Sequence, residues 1–377
     1  MRFRLLGAAR RLRQLLLGVT AAAAMNAHAD VIVGQVAPFS GPQAVTGRAI
    51  HAGAKLYFDA VNARGGVKGQ RIRLVTRDDA QKADETVRLV KELIAQEAPV
   101  AMIGTVGTTN LEVLARDGVL DKSRVSMVGA VSGAASVASA RGLHVVKASY
   151  HDEIARLFSQ LSQLGLKRVG VVYQDDGLGQ DVLTGAEKAA RQHGITLVGR
   201  AAYPRNTTDV GGAVTGMLKA GPQVIFLGAT TAAGIEFVRQ YGEAGGPATM
   251  YGMSIIDTEA LLKKLGPERA RGYAFSVVLP LATKTDREVV REYLRLRGAS
   301  QDANLSARSI EGFIAAKALV KALDKAQRFT PEAVTAALES TAELDVGGYR
   351  LDFTQRERTA SRYVDFAMIG DGGKIVQ

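Results

Sequence analysis

Two glycine-rich turns combine backbone amides with side-chain hydroxyls, which is the chemistry of an anion-binding site. The segment IGTVGTTN (103–110) ends an apolar run and opens a helical pattern, and it contributes the hydroxyls of Thr108 and Thr109. The first N–H groups of a helix lack intrahelical partners and lie at the positive end of its dipole. The segment therefore predicts an anion site, with ordinary helix capping by Thr108 or Thr109 as the alternative.

A second turn, GAVSGAAS (129–136), repeats this composition after the next apolar run and holds Ala130 and Ser132. In open parallel sheets, ligands bind beyond the carboxyl ends of the strands. The two turns are therefore expected to line one crevice.

Several other chemistries are disfavoured by composition. The absence of cysteine excludes disulfides, thiolate zinc sites and cysteine nucleophiles. The five histidines form no i, i+4 pair, and neither HExxH nor GxSxG occurs. Neither glycine-rich segment, 103–110 or 370–374, matches a nucleotide-binding pattern in the context that such a pattern requires. We predict no catalysis, no metal and no cofactor.

The formal charge of +11 owes much to the first 13 residues, which contain five arginines and no acid. Elsewhere the basic residues are scattered, and the chain has no tryptophan. This distribution argues against nucleic-acid binding.

The amino-terminal segment has the three parts of a secretory signal peptide. The arginines precede an apolar stretch at 15–24, which is too short to span a hydrocarbon core of about 30 Å as a helix. Ala27, His28 and Ala29 then offer small residues where signal peptidase cleaves. We predict a signal peptide over 1–29, cleavage before Asp30 and a periplasmic location, with a retained membrane anchor as the alternative.

The elements that must position the two turns are strands and helices in alternation. Continuous apolar runs predict buried strands, whereas stripes of apolar residues at helical spacing predict the intervening helices. The predicted strands are 31–37, 71–76, 100–104, 124–129, 168–174, 195–203, 224–228 and 250–254. The predicted helices are 46–63, 83–96, 151–164, 181–193, 209–220, 232–244, 284–297, 306–325 and 330–340.

Strands separated by helices of this length indicate parallel sheets with right-handed crossovers. One series ends and another begins near residue 148, which predicts two similar α/β lobes. Residues 272–280 resemble another crossover between the lobes, and the carboxyl-terminal segments GGYRLDF and RYVDFAMIG have an antiparallel pattern.

The chain resembles the type I periplasmic solute-binding proteins of the leucine/isoleucine/valine-binding kind over nearly all its mature length. Their combination of apolar strand, Ser-Gly-Pro turn, amphipathic helix, NARGGVKG and paired aspartates occurs between residues 31 and 79. IGTVGTTN, RVGVVYQDDGLGQD and the helix after VIFLG also match. The resemblance implies a three-strand hinge, a ligand enclosed between the lobes and delivery to an ABC permease. The lobe boundaries that we assign are 30–147 with 279–348, and 148–278 with 349–377.

The resemblance also implies the positions of the ligand-binding residues. Thr108 stands where the family has a serine that holds a ligand carboxylate, and Ala130 and Ser132 match the second turn. Thr46 falls at an aromatic position near the pocket mouth. Tyr150, at the first crossover, is a candidate pocket aromatic, with hinge packing as the alternative.

The second lobe departs from the leucine-binding pattern. Leu178 and Thr230 replace two tyrosines, and Ser254 replaces the glutamate that pairs with the ligand ammonium. Asp257 or Asp176 could supply that acid instead. Gln81 and Gly107 replace the two cysteines of the family's disulfide, in agreement with the cysteine count.

These departures change the expected ligand. Burying an ammonium without a partner costs several kcal/mol, so an amino-acid site normally supplies an acid. We hypothesise a small organic acid or amide as the ligand, with an amino acid as the alternative.

The sequence as a whole therefore predicts a monomeric receptor that captures a small molecule by hinge closure. Two other functions stay open: a ligand-sensing subunit of a signalling system, and an exported α/β enzyme. Demonstrated turnover of a substrate would establish the enzyme, and a sensor kinase encoded nearby would favour sensing.

Overall fold

The computed structural model describes residues 29–355 and 359–377. Apart from Ala29, the predicted signal peptide lies outside these residues. Within the described ranges, no helix combines the length and the apolar character that crossing a membrane would require.

The first lobe contains a sheet of five parallel strands in the order β2-β1-β3-β4-β5. The strands are β1 Val31–Ala37, β2 Ile72–Asp78, β3 Ala101–Ile103, β4 Met127–Val128 and β5 Leu143–His144. The connecting helices are α1 Ala44–Asn62, α2 Ala83–Glu97, α3 Thr108–Asp117, α4 Val119–Ser123 and α5 Ala135–Ala138. The central strand β1 is buried almost throughout, as its uninterrupted apolar sequence predicts.

The second lobe contains seven strands, of which five pair with one another in parallel. These are β6 Arg168–Asp175, β7 Thr196–Pro204, β8 Val224–Gly228, β9 Thr249–Gly252 and β10 Ala274–Val277. Its helices are α6 Tyr150–Gln163, α7 Gly177–His193, α8 Gly211–Ala220, α9 Thr231–Glu243 and α10 Thr258–Ala270.

After β10 the chain returns to the first lobe. Helices α11 Glu288–Gly298, α12 Ser309–Lys325 and α13 Pro331–Glu339 follow, and then the small antiparallel ladder of β11 Leu344–Asp345 and β12 Arg350–Leu351. The apolar side chains of these elements share one buried cluster with those of β1 and α1. The contact between α1 and α12 is especially close, because a Cβ added to Gly53 would lie 1.8 Å from the carbonyl oxygen of Ser309.

The last two strands, β13 Asp365–Ile369 and β14 Ile375–Val376, complete the second sheet by antiparallel pairing. This agrees with the antiparallel pattern at the carboxyl terminus. The chain therefore passes between the lobes three times, and the side chain of Tyr349 links two of the passages. Its hydroxyl lies 3.0 Å from the carbonyl oxygen of Val146 and 3.1 Å from that of Val278.

The predicted two-lobed α/β fold is confirmed, with differences in detail. Residues 274–277, which were assigned to a crossover, form strand β10, and only the residues after them cross. Helix α7 begins at residue 177 rather than 181, because Asp176 caps it by accepting from two of its backbone amides.

Candidate functional site

A cavity of about 50 Å³ lies between the two lobes. Five of the residues predicted from the sequence line it: Thr46, Thr108, Tyr150, Leu178 and Thr230. The structure thus brings together side chains that lie up to 184 positions apart in the sequence. A wider outer groove of about 820 Å³ adjoins the cavity and shares Gln43, Thr46 and Thr231 with it.

Thr108 is positioned by a glycine turn at the end of β3. Gly107 has φ +104°, in the region that favours glycine, and a Cβ there would lie 2.1 Å from Nε2 of Gln81. Helix α3 begins directly afterwards at Thr108, whose side chain is almost fully buried. The hydroxyl of Thr108 lies 2.9 Å from that of Ser132, either being able to donate.

The capping alternative for the two threonines is wrong. Gly107 precedes helix α3, and no side chain caps the helix. The hydroxyl of Thr109 instead donates to Oδ2 of Asp176 on the other lobe at 3.1 Å, and it accepts from the backbone N–H of Gly177 at 3.3 Å. Thr109 therefore connects the lobes, whereas Thr108 lines the cavity.

The second predicted turn lies beside the first, joined by a β-bridge between Val106 and Val131. Val131 lines the cavity, whereas the flanking Ala130 and Ser132 do not. Ser132 contacts Thr108 and accepts from the backbone N–H of Ala134 at 3.1 Å. Ala130 is fully buried and its N–H donates to the carbonyl of His144, so this amide is already engaged.

Tyr150 lies at the hinge and also lines the cavity. It is the first residue of α6, just after the first passage between the lobes, and its backbone N–H donates to the carbonyl of Gly133 at 2.8 Å. Its side chain lines the cavity while being only 2% exposed. Burial raises the pKa of Tyr150 to about 12, so the hydroxyl stays protonated at neutral pH.

On the second lobe, Leu178 lies in the first turn of α7 and Thr230 directly precedes α9. The backbone N–H of Thr230 donates to the hydroxyl of the buried Tyr203 at 3.0 Å, which fixes this end of the helix. Leu178 gives the cavity an apolar wall and Thr230 a polar one.

Ser254 and Asp257 do not line this cavity but border a neighbouring one of about 80 Å³. Ser254 donates its hydroxyl and its backbone N–H to the carboxylate of Glu153, at 2.8 and 3.1 Å. Asp257 caps helix α10 and accepts from the hydroxyl of Ser306 at 2.5 Å. Both residues are therefore occupied by contacts within the protein.

Asp176, the other acid considered as an ammonium partner, does line the cavity. One carboxylate oxygen accepts from two backbone amides of α7. The other accepts from Thr109, from Nε2 of Gln174 at 2.8 Å and from Nε of Arg205 at 3.2 Å.

Sequence reasoning missed a buried charge cluster at the hinge. Lys147 and Arg308 both pair with Glu311, at 3.0 and 2.7 Å, and all three side chains are at most 5% exposed. Burial would raise the pKa of Glu311, but the two cations outweigh it and hold the pKa below its usual value. For the nearby Glu153, burial prevails and raises the pKa.

A signal for this cluster existed in the sequence. Lys147 interrupts the apolar run LHVVKAS, and Glu311 lies on the apolar stripe of SIEGFIAAKAL. Charged residues are almost never fully buried unless they are paired. Their partners could not be identified from the sequence, because 164 positions separate these two.

The residues that the structure describes contain no cluster of three or more histidine, cysteine, aspartate or glutamate side chains suited to a metal ion. The polar groups of the cavity are hydroxyls, amides, Asp176 and Arg308. This arrangement can hold a small polar or anionic molecule by hydrogen bonds.

Comparison with known proteins identifies the family to which the sequence is similar. A family model described as periplasmic binding protein matches residues 30–374. A Leu/Ile/Val-binding protein homologue of Brucella suis is 27% identical over 94% of this chain and 92% of its own length.

Solved structures have the same fold. A substrate-binding periplasmic protein from Ralstonia solanacearum superposes with a TM-score of 0.89 at 44% identity, covering 92% of this chain and all of that one. A branched-chain amino acid ABC transporter protein from Thermus thermophilus with bound valine gives 0.83 at 19% identity, covering 93% and 95%. At the latter identity the similarity concerns the fold alone.

Proposed function

The chain belongs to the periplasmic binding protein family, and from this premise we propose that it is the extracytoplasmic receptor of an ABC importer. In this proposal a small organic acid, amide or amino acid is captured between the lobes and delivered to a membrane permease. The observation that carries the proposal is the cavity between the lobes, to which Thr108 contributes from one side and Leu178 and Thr230 from the other.

Hinge closure is supported by hydrogen bonds that span the cleft. Besides Thr109 with Asp176, the backbone N–H of Ala135 donates to Oδ1 of Asp181 at 3.0 Å, and Arg205 reaches Asn110 at 2.8 Å. Such contacts exist only when the lobes are together. A ligand that touches both lobes binds the closed form more tightly and therefore shifts the population toward it.

The proposal contains no catalytic step. Among the described residues that line the cavity there is no histidine, and the hydroxyls of Thr108 and Ser132 bond to each other rather than to a base. We further propose that the mature receptor begins at Asp30, resides in the periplasm and acts as a monomer, with the lobe boundaries assigned from the sequence.

The test is a ligand screen of the mature protein after unfolding and refolding, which removes any co-purified ligand. The panel holds amino acids, aliphatic and aromatic carboxylates, and short amides. A ligand at about 1,000 times its Kd adds about 4 kcal/mol to the free energy of unfolding, which raises the Tm by several degrees.

Small-angle X-ray scattering on each hit then measures closure. We expect the radius of gyration to fall on binding. A ligand that stabilises the protein without compaction would contradict hinge closure, and conversion of the ligand into a product would contradict the receptor function. Delivery is tested by uptake of the radiolabelled ligand, which should fall in cells that lack this chain.

A further inference from the structure

We propose that Arg308 makes the cleft selective for a small organic anion that carries a carboxylate and no ammonium group. This inference rests on the proposed receptor function and specifies its ligand class. Arg308 immediately precedes α12, far in sequence from the glycine turns of the first lobe, and it borders both interlobe cavities.

The guanidinium of Arg308 is buried but incompletely bonded. The residue is 6% exposed, and its Nη1 contacts the carbonyl oxygen of Ser254 at 3.2 Å and the carboxylate of Glu311 at 2.7 Å. Its Nε is buried with no hydrogen-bond partner in the described part of the chain. Buried donors are almost always satisfied, and a cation's donor binds best to a charged acceptor. A ligand carboxylate in the cavity would be such an acceptor.

The charges around Arg308 favour an anion further. Arg308 and Lys147 share one carboxylate, that of Glu311. Burial raises the pKa of the neighbouring Glu153 and lowers that of Lys147. The guanidinium of Arg308 thus shares its one carboxylate partner with Lys147, and an anionic ligand would give it a second.

An ammonium group, by contrast, has no carboxylate available to it. Asp176 already accepts five hydrogen bonds, in which two α7 amides, Thr109, Gln174 and Arg205 are the donors. Two carboxylate oxygens offer about four lone-pair directions. Pairing an ammonium with Asp176 would therefore displace existing donors.

The two remaining acids are equally engaged. Asp257 accepts from two backbone amides of α10 and from Ser306. Glu153 accepts from Ser254 twice and from the hydroxyl of Ser276. Neither lines the cavity that holds Thr108. A buried ammonium would remain unpaired there, which is costly.

The charged side chains at the mouth of the cleft also favour an anionic ligand. Lys263 and Lys264 line the outer groove. Two acids of the outer groove are paired with arginines that do not line it: Glu236 with Arg239, and Glu259 with Arg297. Cations at the rim of a cleft raise the local concentration of anions and their association rate.

The first experiment compares matched ligands by isothermal titration calorimetry on the stripped mature protein at pH 7.5. The probes are sets with the same carbon skeleton: 3-methylbutanoate, valine and 3-methylbutanamide; 4-methylpentanoate, leucine and 4-methylpentanamide; 3-phenylpropanoate, phenylalanine and 3-phenylpropanamide. Acetate, propanoate and benzoate extend the range of size. We expect a carboxylate to bind at least about tenfold more tightly than its amide, which lacks the charged acceptor, and than its amino acid, whose ammonium would stay unpaired.

The outcomes separate the inference from the function on which it rests. An amino acid or amide that binds best and compacts the protein would overturn the selectivity and leave the receptor function standing. If no carboxylate binds, the inference is likewise overturned. If no probe of any class compacts the protein, the receptor function fails with it.

The second experiment assigns the selectivity to Arg308. Arg308→Gln should weaken the carboxylate by roughly 10- to 100-fold while changing the amide far less, since the charged interaction is what is lost. Arg205→Gln is the control, because a loss of closure weakens both ligands by the same factor. The readout is therefore the carboxylate-to-amide affinity ratio, which a purely structural role of Arg308 would not change.

Arg308→Lys keeps the positive charge and covers the case in which the glutamine variant fails to fold. It should retain a preference for the carboxylate at reduced affinity. An unchanged affinity ratio in folded Arg308→Gln, or the loss of all preference in folded Arg308→Lys, would overturn the assignment.

Discussion

Arg205 on the second lobe donates from Nη2 to Oδ1 of Asn110 on the first lobe at 2.8 Å. The same nitrogen lies 3.2 Å from the carbonyl oxygen of Gln81, also on the first lobe. The guanidinium is held on its own lobe by Asp176 at 3.2 Å. Arg205 is thus fixed on one lobe and bonds to the other, which makes it a direct contact between the lobes.

Arg205→Gln should open the cleft. We expect the ligand-free protein to populate open forms more, and affinity for every ligand to fall by roughly fivefold, about 1 kcal/mol, because a partly exposed charged contact is lost. Distances between two introduced, labelled cysteines report the opening, and the chain has no native cysteine to interfere. Asn110→Ala should behave alike, and additive effects in the double variant would contradict direct coupling of the two residues.

Thr108→Ala should weaken an acidic ligand by about 1.5–3 kcal/mol, roughly 10- to 150-fold, the range for a hydrogen bond to a charged group. Calorimetry measures the change, and the thermal unfolding midpoint shows whether the fold is retained. Thr108→Ser keeps the hydroxyl that faces Ser132 and should bind almost normally. Equal ligand affinities of the alanine variant and the unmodified protein would show that Thr108 does not contribute to binding.

His151 should make stability depend on pH. The carboxylate of Asp181, 3.4 Å away, hydrogen-bonds to the ring and raises the pKa of His151 above 6.5. A raised pKa means that the folded state holds the proton more tightly, so this stabilisation is complete below pH 6.5 and disappears as the pH rises through the folded-state pKa.

The measurement is chemical denaturation of His151→Gln and of the unmodified protein from pH 5 to pH 9. The variant should be less stable by about 0.5–1 kcal/mol at pH 5, and the difference should shrink at alkaline pH. His193→Gln, at the end of helix α7, the helix that carries Asp181, is the matched control. A difference that is constant across the range would show that the histidine contributes only by packing.

Gly53→Ala should destabilise the first lobe by about 2 kcal/mol or more, because the new methyl group would overlap the Ser309 carbonyl and force α1 away from α12. Urea denaturation measures this loss. The control is Gly212→Ala in α8, where no atom lies within 4 Å of the added Cβ, so stability should rise by up to about 1 kcal/mol. If Gly53→Ala were as stable as the control, the close helix contact would not exist in solution.

Elements with a strong local pattern were predictable from the sequence. The apolar run at 31–37 coincides with β1, and the alternation of strands and helices was sufficient for the fold class. Three short elements that were not predicted, β5, α4 and α5, have too few residues to show a period. Their conformation depends on neighbours such as β4, which pairs with β5, and not on their own sequences.

The lining of the cavity was predictable where one segment carries both the glycine turn and the side chain that lines it, as at Thr108. Arg308 was not, because its contacts with Ser254 and Glu311 exist only after folding. Asp257 illustrates a local signal that was overlooked. An aspartate directly before the helical sequence TEALL is typical of an N-cap, which is the position it occupies.

The three passages between the lobes also determine when each lobe can fold during synthesis. The first sheet is complete at His144, but helix α12, which covers α1, emerges only after residue 309, when most of the second lobe has already been made. The second sheet in turn awaits β13 and β14, which follow the last of the three passages. Each lobe therefore reaches its final packing only after segments of the other lobe have been made, so the two lobes cannot complete their folding one after the other.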